Sequence, residues 1–213
     1  MNDITPTRSA VIGLTEERRA MREGHAFLDE KCLLLAAAML RELRRYDAAL
    51  RSLDALRAQV AGALASALAR HGLQGLQCYP AGDPLAVRVG VKTRSLLGVA
   101  LQDARVLQFA DRIPAPVVQS PEAEYCRDTY TALASHLVAM AAMSGNLERL
   151  YREYRRSVRR TRALQDVLLP ELDRTINDIE ARLEELEQDE ALWIRQHRRW
   201  ITHSAVRRTL GSD

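Results

Sequence analysis

The sequence predicts a mainly α-helical protein: a long antiparallel two-helix left-handed coiled coil with a small β-hairpin insert at the closed end. Ala, Leu, Arg and Glu dominate the 213 residues, which include only 10 glycines and 7 prolines, and this composition favours long helices. Apolar residues recur every seven positions in both halves of the chain, which is typical of a coiled coil. Half of the glycines and five of the seven prolines lie in residues 72–121, so we place the insert there.

The first helix is predicted within residues 1–71. No proline occurs between Thr15 and His71, and Thr15 precedes two glutamates, as at a helix start. A seven-residue series consists of Cys32, Met39, Tyr46, Leu53, Val60 and Ala67. A second series, offset by four and interrupted at Arg57, consists of Ala36, Leu43, Leu50 and Leu64. The two series together predict one coiled-coil seam.

The insert, residues 72–121, contains two candidate strands. "LAVRVGV" (residues 85–91) alternates apolar and polar side chains, which is the period of a strand. "ARVLQFA" (residues 104–110) is a plausible partner strand. We therefore predict a short β-hairpin on a loop-rich segment.

The second helix is predicted within residues 122–213. One seven-residue series consists of Tyr130, Leu137, Ser144, Tyr151, Val158, Gln165, Leu172, Ile179, Leu186, Trp193 and Trp200. Its companion consists of Leu133, Met140, Leu147, Tyr154, Thr161 and Leu168, and shifts by one residue after Pro170, to Ile176 and Leu183. A proline inside a helix removes a backbone donor and crowds the preceding turn. A helix of this length needs a partner along its side, and the first helix can supply it.

Composition and motifs argue against several classes of protein. The net charge of +3 arises from 31 basic and 28 acidic residues, whereas a dedicated nucleic-acid binder has a concentrated basic excess. The three cysteines are far apart and predict no disulfide framework or zinc site. The longest apolar run has nine residues, but a membrane span needs about 20. We expect no catalytic residues, no cofactor, no metal, no nucleic-acid partner and no direct membrane insertion.

Three blocks of sequence resemble the family of D subunits of the V/A-type rotary ATPases. They are "REGHAFLDEKCLLL" (residues 22–35), "VRVGVKTRSLLGVAL" (residues 87–101) and "RALQDVLLPELDRTINDIEARLEELEQDE" (residues 162–190). The third is the most specific, because it shares a proline inside a long coiled coil. The chain departs from the family pattern at Thr161 and Arg162, and in "ALWIRQHRRW", where the family often has an aromatic pair and a lysine-rich stretch.

The resemblance implies a non-catalytic rotor shaft. Such a shaft stands inside a hexamer of A and B subunits, carries the F subunit, and rests on a funnel-shaped subunit above the membrane rotor ring. It couples H+ or Na+ flow to ATP synthesis or hydrolysis, and it lies in the cytoplasm at the periphery of the membrane. Two alternatives are a coiled-coil scaffold or tether with no rotary role, and a nucleic-acid-associated coiled coil that uses the arginines of residues 149–162.

Three groups of residues are candidates for contacts or for mechanical roles. The shaft tip comprises Trp193, Arg195, Arg198, Arg199 and Trp200. The contact surface on the insert comprises Lys92, Arg94, Leu96, Leu97 and Val99. Pro170 is a candidate bend, or else it accommodates the shift of the seam. For the shaft tip, the alternative is that the arginines are solvated surface charges and the tryptophans lie in the seam. For the insert, the alternative is that the leucines pack on the coiled coil of the same chain.

Overall fold

The computed structural model describes residues 5–77, 79–80, 87–108, 116 and 119–209, without the side chains of Gln108 and of residues 199–209. In chain order the elements are α1 (Arg8–Gln77), β1 (Arg88–Leu96), β2 (Val99–Gln108), α2 (Pro121–Ala163), a π-helical turn (Leu164–Leu168) and α3 (Leu169–Thr209). The predicted fold class, long helices with a two-stranded antiparallel hairpin between them, is confirmed.

Helix α1 begins earlier than the sequence suggested. Its cap is Thr7, whose Oγ1 accepts a hydrogen bond from the Ala10 N–H at 3.2 Å. The predicted cap, Thr15, lies inside the helix, where its hydroxyl donates to the Val11 carbonyl at 2.8 Å. Threonine can form either kind of local bond, so residue type alone did not identify the cap. Near its end α1 is interrupted at Gly72, whose φ of 64° lies in the left-handed region.

The chain divides into two compact units. The first consists of Met1–Glu30 with Val158–Asp213. In this unit the start of α1 runs antiparallel to α3, as two ion pairs show. Arg8 contacts Glu187 at 2.5 Å, and further along α1 Arg18 contacts Asp173 at 3.1 Å.

The second unit consists of Lys31–Ser157 and contains the hairpin. Here α1 runs antiparallel to α2. The side chains of Lys31 and Glu153 form an ion pair at 2.6 Å, and those of Arg70 and Glu122 form another at 2.6 Å. At the closed end, the Ser120 hydroxyl caps α2 by accepting a bond from the Ala123 N–H at 3.3 Å.

The seam of α1 follows only one of the two predicted series. Cys32, Val60 and Ala67 are buried as predicted. The companion series was wrong at Leu43 and Leu50, which are 50% and 43% exposed, whereas Ala36 and Leu64 are half-buried. The buried companions lie three residues after the first series rather than four; they include Leu35, Glu42 and Ala63. The buried series and the predicted one are adjacent on the helix and have the same seven-residue period, so the period alone could not show which of them enters the seam.

The seam of α2 shows the same ambiguity. Met140 and Thr161, from the companion series, are buried. The other series was wrong before Pro170: Tyr130, Leu137 and Tyr151 are 45–49% exposed. The exposed residues of the rejected series lie beside the seam on each helix. They occupy positions that flank the seam, and side chains at such positions of a coiled coil are only partly buried.

The hairpin turns tightly at Leu97 and Gly98, whose φ angles are 52° and 85°. Two central residues with positive φ define a type I′ turn, whose twist matches that of the flanking strands. The register pairs Leu96 with Val99 next to the turn. Both predicted strand segments overlap the observed strands, although residues 85–86 and 109–110 lie outside the described residues. The strands also include "KTRSL", which the period-two pattern did not reach.

The hairpin packs along the helices of its own unit. Val99 and Leu101 of β2 are buried in one cluster with Leu35 and Ala38 of α1 and Leu150 of α2. From Ala38 to the interruption at Gly72 is roughly 50 Å of helix at 1.5 Å per residue. The insert therefore leaves the helices at the closed end and packs against them far from it.

Candidate interaction surfaces

A buried polar clamp fixes the hairpin to the helices. Asn146 is fully buried, and its amide accepts a bond from the Gln102 N–H at 2.7 Å and donates to the Gln102 carbonyl at 2.8 Å. It thereby bonds to the backbone on the edge of β2 where no strand pairs among the residues that the structure describes. The Asn146 amide nitrogen also donates to the Glu42 carboxylate of α1 at 3.1 Å. The Arg149 guanidinium donates to the Asn146 amide oxygen at 2.8 Å.

Glu42 is a carboxylate in the seam, only 4% exposed. Its oxygens accept bonds from Asn146 and from Arg45, the latter at 3.1 Å. A buried, hydrogen-bonded polar pair in a seam favours the one register in which the two groups meet. The search for apolar repeats missed Glu42 because it is charged. Glu42 lies three residues after Met39, a member of the correct series, and this spacing could have predicted its burial.

The predicted contact surface on the insert divides into two parts. Val99 is buried, and Leu96 and Leu97 pack against the same cluster. These three side chains pack on the helices in this chain, which is the alternative considered for the insert leucines. Lys92 and Arg94 are exposed. They remain candidates for contact with a partner.

An ion cluster joins the hairpin to α1. Arg94 Nε of β1 lies 3.9 Å from Asp103 of β2, and the Arg45 guanidinium of α1 lies 3.8 Å from the same carboxylate. All three side chains are about half exposed. Exposed pairs at such distances contribute roughly 0–1 kcal/mol each. The cluster therefore adds little to the attachment of the hairpin, which rests on Asn146 and the apolar cluster.

The predicted shaft tip is exposed where its side chains are described. Trp193 is 63% exposed and stacks on His197, with ring centroids 5.1 Å apart. Arg195 and Arg198 are also exposed. Trp193 was predicted to continue the seam. Instead it is a solvent-exposed apolar side chain. The side chains of Arg199 and Trp200, the other two tip residues, lie outside the described part of the chain.

A π-helical turn immediately precedes Pro170. The Leu169 N–H donates to the Leu164 carbonyl, five residues back. Leu164 is half-buried and Leu172 is buried, eight residues apart rather than seven. The wide turn accommodates the one extra residue, so the seam is buried both before and after it. It also relieves the conflict between the Pro170 ring and the carbonyl four residues earlier.

The extra residue and the proline are separable causes of this turn. We expect Pro170→Ala alone to change the free energy of unfolding by less than about 1 kcal/mol, because the seam still requires the extra residue. Deleting the exposed Val167 in the Pro170→Ala background is expected to give a continuous α-helix of equal stability. Urea unfolding followed by circular dichroism measures both. A gain of more than about 1 kcal/mol from Pro170→Ala alone would assign the turn to the proline, because alanine would then restore a regular α-helix.

Other kinds of site have little support in the described residues. Among them, no three His, Cys, Asp or Glu side chains cluster as metal ligands. In the same part of the chain, no helix has an apolar stretch that could cross a membrane. The described cysteines, Cys32 and Cys126, are buried and free, and burial raises the pKa of the Cys126 thiol. The third, Cys78, lies outside the described residues.

Comparison with known proteins gives a consistent result. The D subunit of the V-type ATP synthase of Thermotoga neapolitana is 24% identical over 188 residues, covering 88% of this chain and 93% of that protein. The D subunits of the A-type ATP synthases of Thermococcus gammatolerans and Thermococcus kodakarensis are 25% and 26% identical over 195 residues. Each of these two alignments covers 88% of this chain and 89% of the relative. The family model for the D subunit of ATP synthase matches residues 10–195, so this chain belongs to the family of ATP synthase D subunits.

Proposed function

We propose that this chain is the central rotor shaft of a V/A-type ATP synthase, a non-catalytic subunit that couples ion-driven rotation to ATP synthesis or hydrolysis. Membership of the family of D subunits supports a place in such a complex. The observation that carries the mechanical part is the antiparallel pairing of α1 in both compact units. Within one unit α1 pairs with α3, and within the other it pairs with α2.

Helix pairing suits a part that transmits torque. Every turn of a two-stranded seam contributes buried side chains, so twisting one helix relative to the other disrupts packing along its length. The buried pair Glu42 and Asn146 adds a fixed register. Sliding of one helix would leave a desolvated carboxylate or amide without its partner, at about 1–3 kcal/mol or more.

The partners in this proposal occupy different parts of the chain. The A and B subunits of the catalytic hexamer surround the shaft tip, where Trp193, Arg195 and Arg198 are exposed. The F subunit and the funnel-shaped subunit contact other parts of the shaft, including the insert with Lys92 and Arg94. The assembly places the chain in the cytoplasm at the periphery of the membrane.

The tip arginines act in this proposal as a water-screened bearing. Each exposed charge pair contributes little, so contacts with acidic loops of the ring can form and break as the shaft turns. Pro170 and the preceding π-helical turn supply asymmetry, since both are common causes of helix bending. A bent shaft presses on one catalytic interface at a time.

Reconstitution tests the rotor role. The chain is co-expressed with the A, B and F subunits of its own organism, and the product is analysed by size exclusion with light scattering and by an ATPase assay. We expect one copy of this chain per A/B ring, and a changed ATPase rate when it is omitted. A stable homo-oligomer that does not associate with these subunits would favour the scaffold instead. Salt-sensitive binding to DNA or RNA would favour a nucleic-acid role.

A matched set of variants tests the tip. In the assembled complex, Arg195, Arg198 and Arg199 are replaced together by alanine, and three exposed arginines of α1, Arg41, Arg44 and Arg57, are replaced in the control. The bearing predicts reduced coupling, measured as ATP hydrolysed per ion translocated, for the first variant alone. Normal coupling with the three tip arginines absent would remove the bearing from the proposal.

A further inference from the structure

The hydrogen bonds between Asn146 and β2, together with the strand register, show in which direction the backbone groups of β1 point. Gln102 directs both its N–H and its carbonyl outward from the hairpin, to Asn146. Residues opposite each other in an antiparallel pair either bond to one another or both point away from the pair. Thr93 is the partner of Gln102 in the register. The N–H and carbonyl of Thr93 therefore point outward on the other edge, away from the clamp.

The outer edge of β1 is a row of available backbone groups. By the two-residue period, Val91 and Ser95 share the orientation of Thr93. All three residues are exposed. Within the described residues the sheet has two strands, so nothing there pairs with this edge. Such an edge accepts a further strand unless charge, proline or a covering element prevents it.

The side chains beside this edge are charged on one face of β1 only. Arg88, Lys92 and Arg94 share one face, and Val89, Val91, Thr93 and Ser95 share the other. The two strands together carry four basic side chains and one acidic one, Asp103. That single carboxylate lies near both Arg94 and Arg45, at 3.9 Å and 3.8 Å. Lys92 and Arg88 are exposed, and neither strand has a second carboxylate to balance them.

We propose that β1 binds an extended acidic segment of a partner protein as a third strand. Main-chain bonds to Val91, Thr93 and Ser95 supply the attachment, and acidic side chains at alternate positions face Lys92 and Arg94. Recognition by strand addition combines backbone pairing for affinity with alternate side chains for specificity. Opposite charges directly across neighbouring strands stabilise the pairing. This inference does not depend on the rotor role.

The probe is a fluorescein-labelled ten-residue peptide in which glutamate alternates with valine and threonine. Fluorescence anisotropy with the purified full chain measures its affinity. Thr93→Pro removes the outward N–H, and the β1–β2 bonds remain because the Thr93 N–H does not serve them. Thr93→Ala is the matched control, since it retains the N–H and changes only the side chain.

We expect the peptide to bind the natural chain and the Thr93→Ala variant within a factor of two. We expect Thr93→Pro to weaken binding at least tenfold, with an unchanged circular dichroism spectrum and melting temperature. Equal binding by the proline variant would exclude strand addition. No binding of the peptide at millimolar chain would overturn the proposal as a whole.

Charge and backbone protection are tested separately. Lys92→Glu combined with Arg94→Glu is expected to weaken binding at least tenfold, whereas Arg57→Glu, on an exposed position of α1, leaves it unchanged. A peptide with lysine in place of glutamate is expected not to bind. Hydrogen exchange should slow at the amides of Val91, Thr93 and Ser95 when the acidic peptide is bound. Slower exchange only in the helices would place the peptide elsewhere and contradict the inference.

Discussion

Replacing Leu150 by alanine is expected to lower the free energy of unfolding by about 2–5 kcal/mol. Leu150 of α2 is fully buried, and its cluster unites α1, α2 and β2 through Leu35, Ala38 and Leu101. Removing its side chain deletes buried methyl groups and leaves a cavity that three elements would have to collapse to fill. Urea unfolding followed by circular dichroism at 222 nm measures the loss.

Leu43→Ala is the matched control for Leu150→Ala. Leu43 is an apolar residue of the same size on α1, and it is 50% exposed. Its loss is expected to change the free energy of unfolding by less than about 1 kcal/mol, because little transfer energy and no cavity are involved. Equal losses for the two variants would contradict this seam, and would return Leu43 to the interior.

Replacing Asn146 by leucine is expected to release the hairpin and to lower the free energy of unfolding by about 1–3 kcal/mol. Leucine fills a similar volume but cannot bond to the backbone of Gln102 or to Glu42. Among the described residues, the loss leaves the buried Glu42 carboxylate with only the bond from Arg45 and leaves one edge of β2 unpaired. Hydrogen exchange should show faster exchange at the Gln102 amide, with the helices still protected.

The exposed Asn177 of α3 supplies the control. Asn177→Leu makes the same chemical change away from the clamp. We expect it to change the free energy of unfolding by less than about 0.5 kcal/mol and to leave hydrogen exchange in β2 unchanged. An unchanged Gln102 amide in Asn146→Leu would show that the apolar cluster alone holds the hairpin. The clamp would then contribute register but no attachment.

The sequence predicted the class of fold because helix period and turn residues are local properties. The seven-residue repeats, the absence of proline from Thr15 to His71 and the concentration of glycine and proline in residues 72–121 were sufficient. The first seam series of α1 was also correct. The tight turn at Leu97 and Gly98 was within reach, since glycine permits positive φ there.

The candidate surfaces were predicted less completely. Lys92, Arg94 and Trp193 are exposed, as an interface requires, but Leu96, Leu97 and Val99 pack against the helices. The strand pattern carries no information about which face of the hairpin meets another element. The shift of the seam near Pro170 was visible as a change of series, while the wide turn that produces it was not.

By itself, the sequence determined that two long helices pair antiparallel around a short hairpin, and it pointed to the family, because these features depend on residue order along one chain. Only the tertiary structure decided which of two adjacent apolar series enters each seam, and that Glu42 and Asn146 are buried together. It also decided that the hairpin attaches through Gln102, while no strand of the described residues pairs with the outer edge of β1. Each of these depends on contacts between distant residues, whose free energy is realised only when desolvated partners meet.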